Sequence, residues 1–483
     1  MNNFRYKYIL AFLLVAVFHS NASVHTPDSL KYYLEMAANN NPGVQSAFSL
    51  YRASLQKIQQ AGAYQDPELE MGFFLQPMAL VEGRQVGQIQ LMQMFPWFGT
   101  QKAARSEAQY MAKMAYEQFR EVRDQLWLDV YTQWYLLCRL QQQLNNHINN
   151  KELLIQLNEL ALRKFSSPIN AANLAGSSNK IVSGEKPSVN TIPERGGMTT
   201  MGNMPTALPQ STNNMVMGDQ KNMQGMGGAS SGLTDVLRIQ LEMAEIDNNV
   251  ESVLSELNAG KAKLNTLLNR PVSIDIELPD SIEQISFQLD EVLVKELIRQ
   301  QNPMLRMYIQ EESAYVAKAE MDKKMSYPMF GVGLQYMLIN SNPHATDMGA
   351  MNGKDMVMPM LSISLPLYRN KYKAQQRENV FRQKASREKY ANTLNELEAT
   401  LYSLKNNLDN AARKIGLYRK QTELAQTTYN LLINEFASTK GDLTNVIQVQ
   451  RQLLDYQLKT AEAVAEYNTM VAGVQKIISS TEE

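Results

Sequence analysis

The sequence predicts a mainly α-helical chain, built twice on one plan, with four short strands suited to a membrane β-barrel. Landmarks recur in order and in register between the two halves. Each half carries two strand-like stretches of about ten alternating residues. Each half also carries a proline-free helical stretch far longer than globular domains use.

The chain has 483 residues, with 47 Lys and Arg against 48 Asp and Glu, for a net charge of -1. A length prior of about 150 residues per domain predicts roughly three domains or one elongated body. The charge balance excludes a nucleic-acid protein held by bulk electrostatics. With 44% hydrophobic and 20% charged residues, the chain as a whole is not of disordered composition. The single cysteine, Cys138, excludes an internal disulfide, a Cys-based zinc site and a CxxC redox centre. Methionine stands out, at 28 residues.

Residues 1–22 have the pattern of a secretory signal. Arg5 and Lys7 give a positive start, Ile9 to Phe18 an apolar run, and Ser20-Asn21-Ala22 small residues before a cleavage point. The run is too short for a bilayer core of about 30 Å. No Cys follows it, which excludes a lipoprotein anchor. Removing Arg5 and Lys7 takes the net charge to -3. No later stretch reaches 18 apolar residues, so no transmembrane helix is predicted.

The duplication is read from paired landmarks. Asn41-Pro42 returns as Asn302-Pro303, and Asp66-Pro67 answers Tyr327-Pro328, both 261 positions on. QIQLMQMFPWFGTQKAA matches MLSISLPLYRNKYKA, with Pro96 answering Pro366. GLTDVLRIQ at 232–240 matches GDLTNVIQVQ at 441–450. Conserved order and spacing mark an internal repeat. The first repeat is placed at 23–270 and the second at 271–483.

Within each repeat the elements follow one order. A short helix is expected from about Ser29 to Asn40, and again from Asp290 to Gln301. A second helix starts at Pro42 or Pro303, since proline in the first turn forfeits no hydrogen bond. Strands follow at about 68–76 and 86–95, then 329–338 and 358–366. Leu69, Met71, Phe73 and Leu75 oppose Glu68, Glu70, Gly72 and Phe74. Phe330, Val332, Leu334, Tyr336 and Leu338 oppose Gly331, Gly333 and Gln335. Leu361, Ile363 and Leu365 oppose Ser362 and Ser364. The second strand is less clean, because Gln93 breaks its alternation. This alternation fits a transmembrane barrel and fits equally a soluble antiparallel sheet with one wet face, and taken alone it favours the soluble sheet.

The long helices weigh more. Gly99 to Ser167 and Lys371 to Glu483 contain no proline. At 1.5 Å per residue, sixty-five such residues span about 97 Å, which implies a coiled-coil-like tube or long hairpin. Leu424, Leu431, Leu432 and Phe436 precede Gly441, and Leu443, Val446, Val449 and Leu453-Leu454 follow it, so a hairpin is expected at Ser438–Asp442. Four strands cannot close a barrel, and open edges in lipid cost several kcal/mol per unsatisfied group. About eight strands leave little lumen, whereas twelve from three chains leave a channel. A membrane reading therefore requires a homotrimer.

This plan resembles the TolC family of bacterial outer-membrane efflux channels, and its copper/silver branch in particular. The Asn-Pro helix starts, the DPELEMG strand, the junctions FPWFGTQKA and LPLYRNKYKA, and the turns SGLTDVLRIQ and KGDLTNVIQVQ carry the resemblance, from about Asp28 to Ile478. It implies a trimeric twelve-stranded barrel in outer-membrane lipid, continued by an α-helical periplasmic tunnel. It also implies docking of the tunnel tips onto a periplasmic adaptor coupled to an inner-membrane pump. Extracellular loops would then fall at Gln76–Gly87 and Asn340–Met356, and periplasmic tips at 166–235 and 438–445. Leu233, Asp235, Leu443 and Asn445 become candidates for adaptor contact or pore closure, although Leu233 and Leu443 can simply start helices. Glu68 and Glu70 become candidates for the barrel lumen.

The first tip departs from the second by an insertion at 166–232, which holds ten Gly, five Pro, eight Asn and no aromatic residue. Such a segment cannot bury enough apolar area to offset an ordering entropy of about 1–2 kcal/mol per residue, so disorder is expected. It also holds Met198, Met201, Met204, Met215, Met217, Met223 and Met226. Methionine normally fills cores, but this segment offers none. Thioethers are soft, uncharged ligands that favour Cu(I) and, by the same softness, Ag(I). The second extracellular loop repeats the theme with Met348 and Met351, followed by Met356, Met358 and Met360, the last two of which can equally face the barrel.

The leading expectation is a passive exit duct for Cu(I) and Ag(I), which are cargo and not a resident cofactor. A second reading keeps the channel and carries drugs, other small molecules or polypeptides. A third is a soluble periplasmic coiled-coil scaffold. An enzyme is not expected: the sequence holds no GxxxxGK[ST], no HExxH, no Ser-centred elbow and no paired-carboxylate signature.

Overall fold

Six elements are laid out in sequence and then laid out again. The structure, a computed structural model, describes residues 30–80, 83–166, 231–341, 353–438 and 441–479. The first half runs α1 (Leu30–Asn40), α2 (Pro42–Ala61), β1 (Glu68–Leu80), β2 (Gly83–Phe95), α3 (Thr100–Ser166) and α4 (Ser231–Leu267). The second runs α5 (Glu291–Gln301), α6 (Pro303–Met325), β3 (Met329–Asn340), β4 (Met356–Ser364), α7 (Arg369–Ala437) and α8 (Leu443–Ile478). The signal segment 1–22 and residues 167–230 of the insertion lie outside the described residues.

The repeated Asn-Pro does one structural job twice. Pro42 and Pro303 occupy the first helical position, where no amide hydrogen is needed. Asn41 Oδ1 accepts from the amides of Gly43 and Val44 at 2.9 and 3.4 Å, and Asn302 Oδ1 accepts from Met304 and Leu305 at 3.0 and 3.2 Å. The same side chains reach across the fold. Asn41 Nδ2 donates to the Leu267 carbonyl at the end of α4, at 3.0 Å. Asn302 Nδ2 donates to the Ile477 carbonyl near the end of α8, at 2.9 Å. Each asparagine thus caps one helix and satisfies a terminal carbonyl of the last long helix of its own half.

Two apolar cores follow from this closure. Tyr33, Ala37 and Val44 bury against Leu126–Leu144 of α3, Val253–Leu264 of α4 and Leu268 just beyond it. Val294, Ile298 and Leu305 bury against Leu401–Ile415 of α7 and Ala463–Ile477 of α8. A third core joins the halves at the far end of the long helices, where Leu154, Leu157, Val236 and Ile239 meet Tyr429, Phe436, Leu443 and Val446. With 67 and 69 residues, α3 and α7 are each about 100 Å long. Only ten of the 69 residues of α7 are buried. Phe381, Leu417, Leu424 and Leu431 on it stay 53–70% exposed, the last three at heptad spacing. A single chain therefore leaves a coiled-coil seam uncovered.

The strands form one antiparallel sheet in the order β1-β2-β3-β4. They exceed the expected limits. The first hairpin stays paired out to Leu80 and Gly83, into the stretch 76–87 that the resemblance placed as a loop. Pro77 hid this: the register shifts between Phe73 and Met78, and a bulge is where a missing amide is tolerated. At the other end, β4 stops at Ser364, two residues before Pro366.

Asn302, 1% exposed, is buried more deeply than Asn41. Replacing Asn302 by Ala should cost about 1–3 kcal/mol, because it removes a cap and strands a buried carbonyl, and Asn41→Ala should cost about 1 kcal/mol. Unfolding midpoints of the detergent-solubilised protein check this, and a wild-type midpoint for Asn302→Ala would contradict the clamp.

Candidate functional site

The two faces of the sheet differ in chemistry, and that difference decides which solvent each can meet. Leu69 pairs with Leu91 and Leu91 with Leu334, and the neighbouring rows place Val332 beside Leu361 and Phe330 beside Ile363. Leu69, Phe73, Leu91, Val332 and Leu361 are 48–86% exposed. The opposite face pairs Glu70 with Gln90 and Gln90 with Gln335, and Gln335 Nε2 donates to Gln88 Oε1 at 2.9 Å. An apolar outer face and a polar inner face are what a membrane barrel wall requires. Strands of 12 and 13 residues reach about 40 Å, enough to cross a hydrocarbon core of about 30 Å at a tilt near 40°. Among the described residues no helix is long and apolar enough to cross a membrane.

An aromatic cluster marks where strands become helices. Trp97 stacks on Tyr327 with ring centroids 5.2 Å apart and lies 5.7 Å from Phe330, while Tyr64 meets Phe95 edge-on at 5.5 Å. Amphipathic rings at one level form the girdle expected at a membrane interface. The chain then turns into α3 through Gly99, whose φ of 81° favours glycine.

At the other end of the helices, α4 and α8 start side by side. Asp442 caps α8 by accepting from the Thr444 amide at 3.0 Å. Arg238 Nη1 donates to Thr444 Oγ1 at 2.6 Å and so ties the two starts together. Lys164 Nζ lies 4.2 Å over the Phe436 ring. The structure brings all four sequence-selected tip residues to this end of the helices. Leu233 is 55% exposed and Asn445 is exposed, while Leu443 is 1% exposed and belongs to the core beneath them. Asp235 is half-buried. Burial, then the like charge of Asp442, raise its pKa above 3.8, against the pull of Arg238 and Lys164. Sequence reasoning missed Arg238, Lys164 and Asp442; of these only Asp442, an Asp just before LTN, carried a local signal, that of a helix cap.

Met198, Met201, Met204, Met215, Met217, Met223 and Met226, with Met348 and Met351, lie outside the described residues. Among the described residues no group of three or more His, Cys, Asp and Glu could hold a metal ion. Cys138 is 2% exposed, and burial pushes its thiol up to about 12, so it stays protonated and is no soft-metal ligand.

These features define a class by fold, a strand wall of membrane-barrel chemistry continued by a long helical body. Residues 294–479 match the model of the outer membrane efflux protein family. No curated protein matches the sequence. Solved structures share the fold at low identity. VceC of Vibrio cholerae is 13% identical with a TM-score of 0.64, over 94% of this chain and 97% of that one. CusC is 13% identical at 0.65, over 93% and 91%. MtrE of Neisseria gonorrhoeae, in its open state, is 12% identical at 0.55, over 94% and 91%. The family match covers the second half of the chain, and the solved structures show that nearly the whole chain has the fold of outer-membrane channels. The barrel of such channels is trimeric, so one chain shows an open four-stranded sheet.

Asp235 supplies a pH test of the tip. Its proton is held more tightly folded than unfolded, so its contribution to stability falls as pH rises from 3.8 through the raised folded value, and the penalty is complete at neutral pH. Asp235→Asn should raise the unfolding midpoint at neutral pH, and the gain should vanish below about pH 4. Thermal melts at both pH values check this; a gain independent of pH would exclude the titration.

Proposed function

We propose that this channel is the exit duct of a tripartite system that moves Cu(I) and Ag(I) out of the periplasm. The observation that carries the cargo is the insertion between α3 and α4, with seven methionines in a segment free of aromatic residues. Soft thioethers in a segment without a core have ligand chemistry as their use. Met198, Met201 and Met204 in MxxMxxM, Met215 and Met217 in MxM, and Met223 and Met226 in MxxM collect the ion at the periplasmic end. Met348 and Met351 in the second extracellular loop hold it near the exit.

Residues 1–22 direct export of the chain. A periplasmic adaptor docks on the tip at Leu233, Asp235 and Asn445, with Leu443 supporting them from beneath. An inner-membrane pump supplies the energy, and the duct conducts passively. The similar fits of VceC and CusC, at 0.64 and 0.65, do not choose a cargo, so the choice rests on the methionines.

Deleting residues 168–230 should lower copper and silver tolerance of cells that depend on this channel, with drug tolerance unchanged. Growth inhibition by the two metals and by a panel of drugs reads this out. Unchanged metal tolerance with the duct intact would move the cargo to small molecules or polypeptides.

A further inference from the structure

The register of the sheet sorts the methionines by face. Of the residues paired in regular rows, the apolar outer face holds one methionine, Met71. The polar inner face holds seven. Met94 lies in the row of Gly331 and Ser362. Met92 and Met360 share the next row, with Glu68 and Gly333. Met358 follows with Glu70 and Gln335, then Met337 with Met356. Met329 begins the series at the helical end, opposite Ser364. If methionine served here only as apolar filler, the lipid face would be its place. Seven against one on the wet face runs the other way.

The rows near the helical end also form a cradle. Gly331 has no side chain, and two sulfurs close on the point where its Cβ would stand, Met94 Sδ at 2.5 Å and Met92 Sδ at 3.3 Å. Ser362 Oγ lies 3.5 Å from Met94 Sδ and 3.7 Å from Met92 Sδ. Gly333, two residues on, would likewise meet Met92 Sδ at 3.0 Å. The glycines of β3 therefore leave room bordered by thioethers, by the Ser362 hydroxyl and, at Gly333, by the Leu91 carbonyl.

We infer that the barrel lumen carries a thioether ladder that binds Cu(I) and Ag(I) in transit, with Met92, Met94 and Ser362 over Gly331 as its best-formed site. The inference rests on the soft-metal cargo proposed above. Same-face rows stand about 7 Å apart, so an ion passes from one row to the next over short steps. In the trimer each of the four rows from Met94 to Met337 presents three or six sulfurs around the lumen. Uncharged sulfur selects the soft ion, while Glu68 and Glu70 in two of these rows attract any cation. A series of similar weak sites lets an ion enter and leave, as conduction requires.

The test uses the full-length trimer with the seven insertion methionines changed to Leu, titrated with Ag(I) in chloride-free detergent, with X-ray absorption reading the ligand atoms. Sulfur-bound Ag(I) should persist in this background. Adding Met92→Leu and Met94→Leu should weaken it about tenfold or more. These swaps nearly conserve volume, and native mass spectrometry confirms the trimer. Gly331→Ala, which fills the cradle and keeps both sulfurs, should have the same effect. No sulfur-bound Ag(I) in the background protein, or binding untouched by the paired Leu variant, overturns the ladder. Metal tolerance of cells lacking the channel separates the two readings. Unchanged tolerance removes cargo and ladder together, whereas lost tolerance with a flat titration removes the ladder alone.

Discussion

An unpaired β edge is intolerable in hydrocarbon, and this one constraint organises the molecule. The chain supplies four strands, so β1 and β4 each present a row of backbone groups with no partner in the same chain. Closure by three copies satisfies those rows and creates the lumen. It also dictates the rest, because a wall of twelve strands must pass into a wall of helices at the same radius. The aromatic cluster of Trp97, Tyr327 and Phe330 sits at that transition. The exposed leucines of α7 continue the demand for neighbours along the tunnel.

Below the membrane the two halves are held by the same device. A helix of 67 or 69 residues cannot fold onto itself, so its order depends on what crosses it. The short helices α1 and α5 supply apolar faces, and the asparagines join the ends of distant helices by single side-chain amides. The third core ties one half to the other at the tip, where Leu443 lies under the exposed turn. Surface features of the tip thus rest on a packed base.

Much of this was legible in the sequence because it follows from periodicity. Two repeats 261 positions apart, proline-started helices and long proline-free runs all leave local marks. The ends of the strands were not legible, since Pro77 reads as a breaker until a bulge is seen to absorb it. The asparagine bridge was half legible: the cap belongs to the local Asn-Pro pattern, but the carbonyls of Leu267 and Ile477 lie 226 and 175 residues away. The shared face of Met92, Met360 and Met358 was hidden for the same reason, because register across strands is set by pairing and not by either strand alone. At the tip, Leu233 and Leu443 look equivalent in sequence, yet one is 55% exposed and the other 1%.

Duplication within each chain would give the helical end of a trimer an approximate six-fold arrangement, with the α3/α4 and α7/α8 pairs in alternation. The connections break it. Residues 167–230 join α3 to α4, while only 438–442 join α7 to α8. The true symmetry of that end is three-fold, and a ring of six identical lobes placed against it would meet two kinds of site in strict alternation. A partner of six equal subunits would have to use its own copies in two different ways, and one of three subunits could address one class of hairpin and ignore the other.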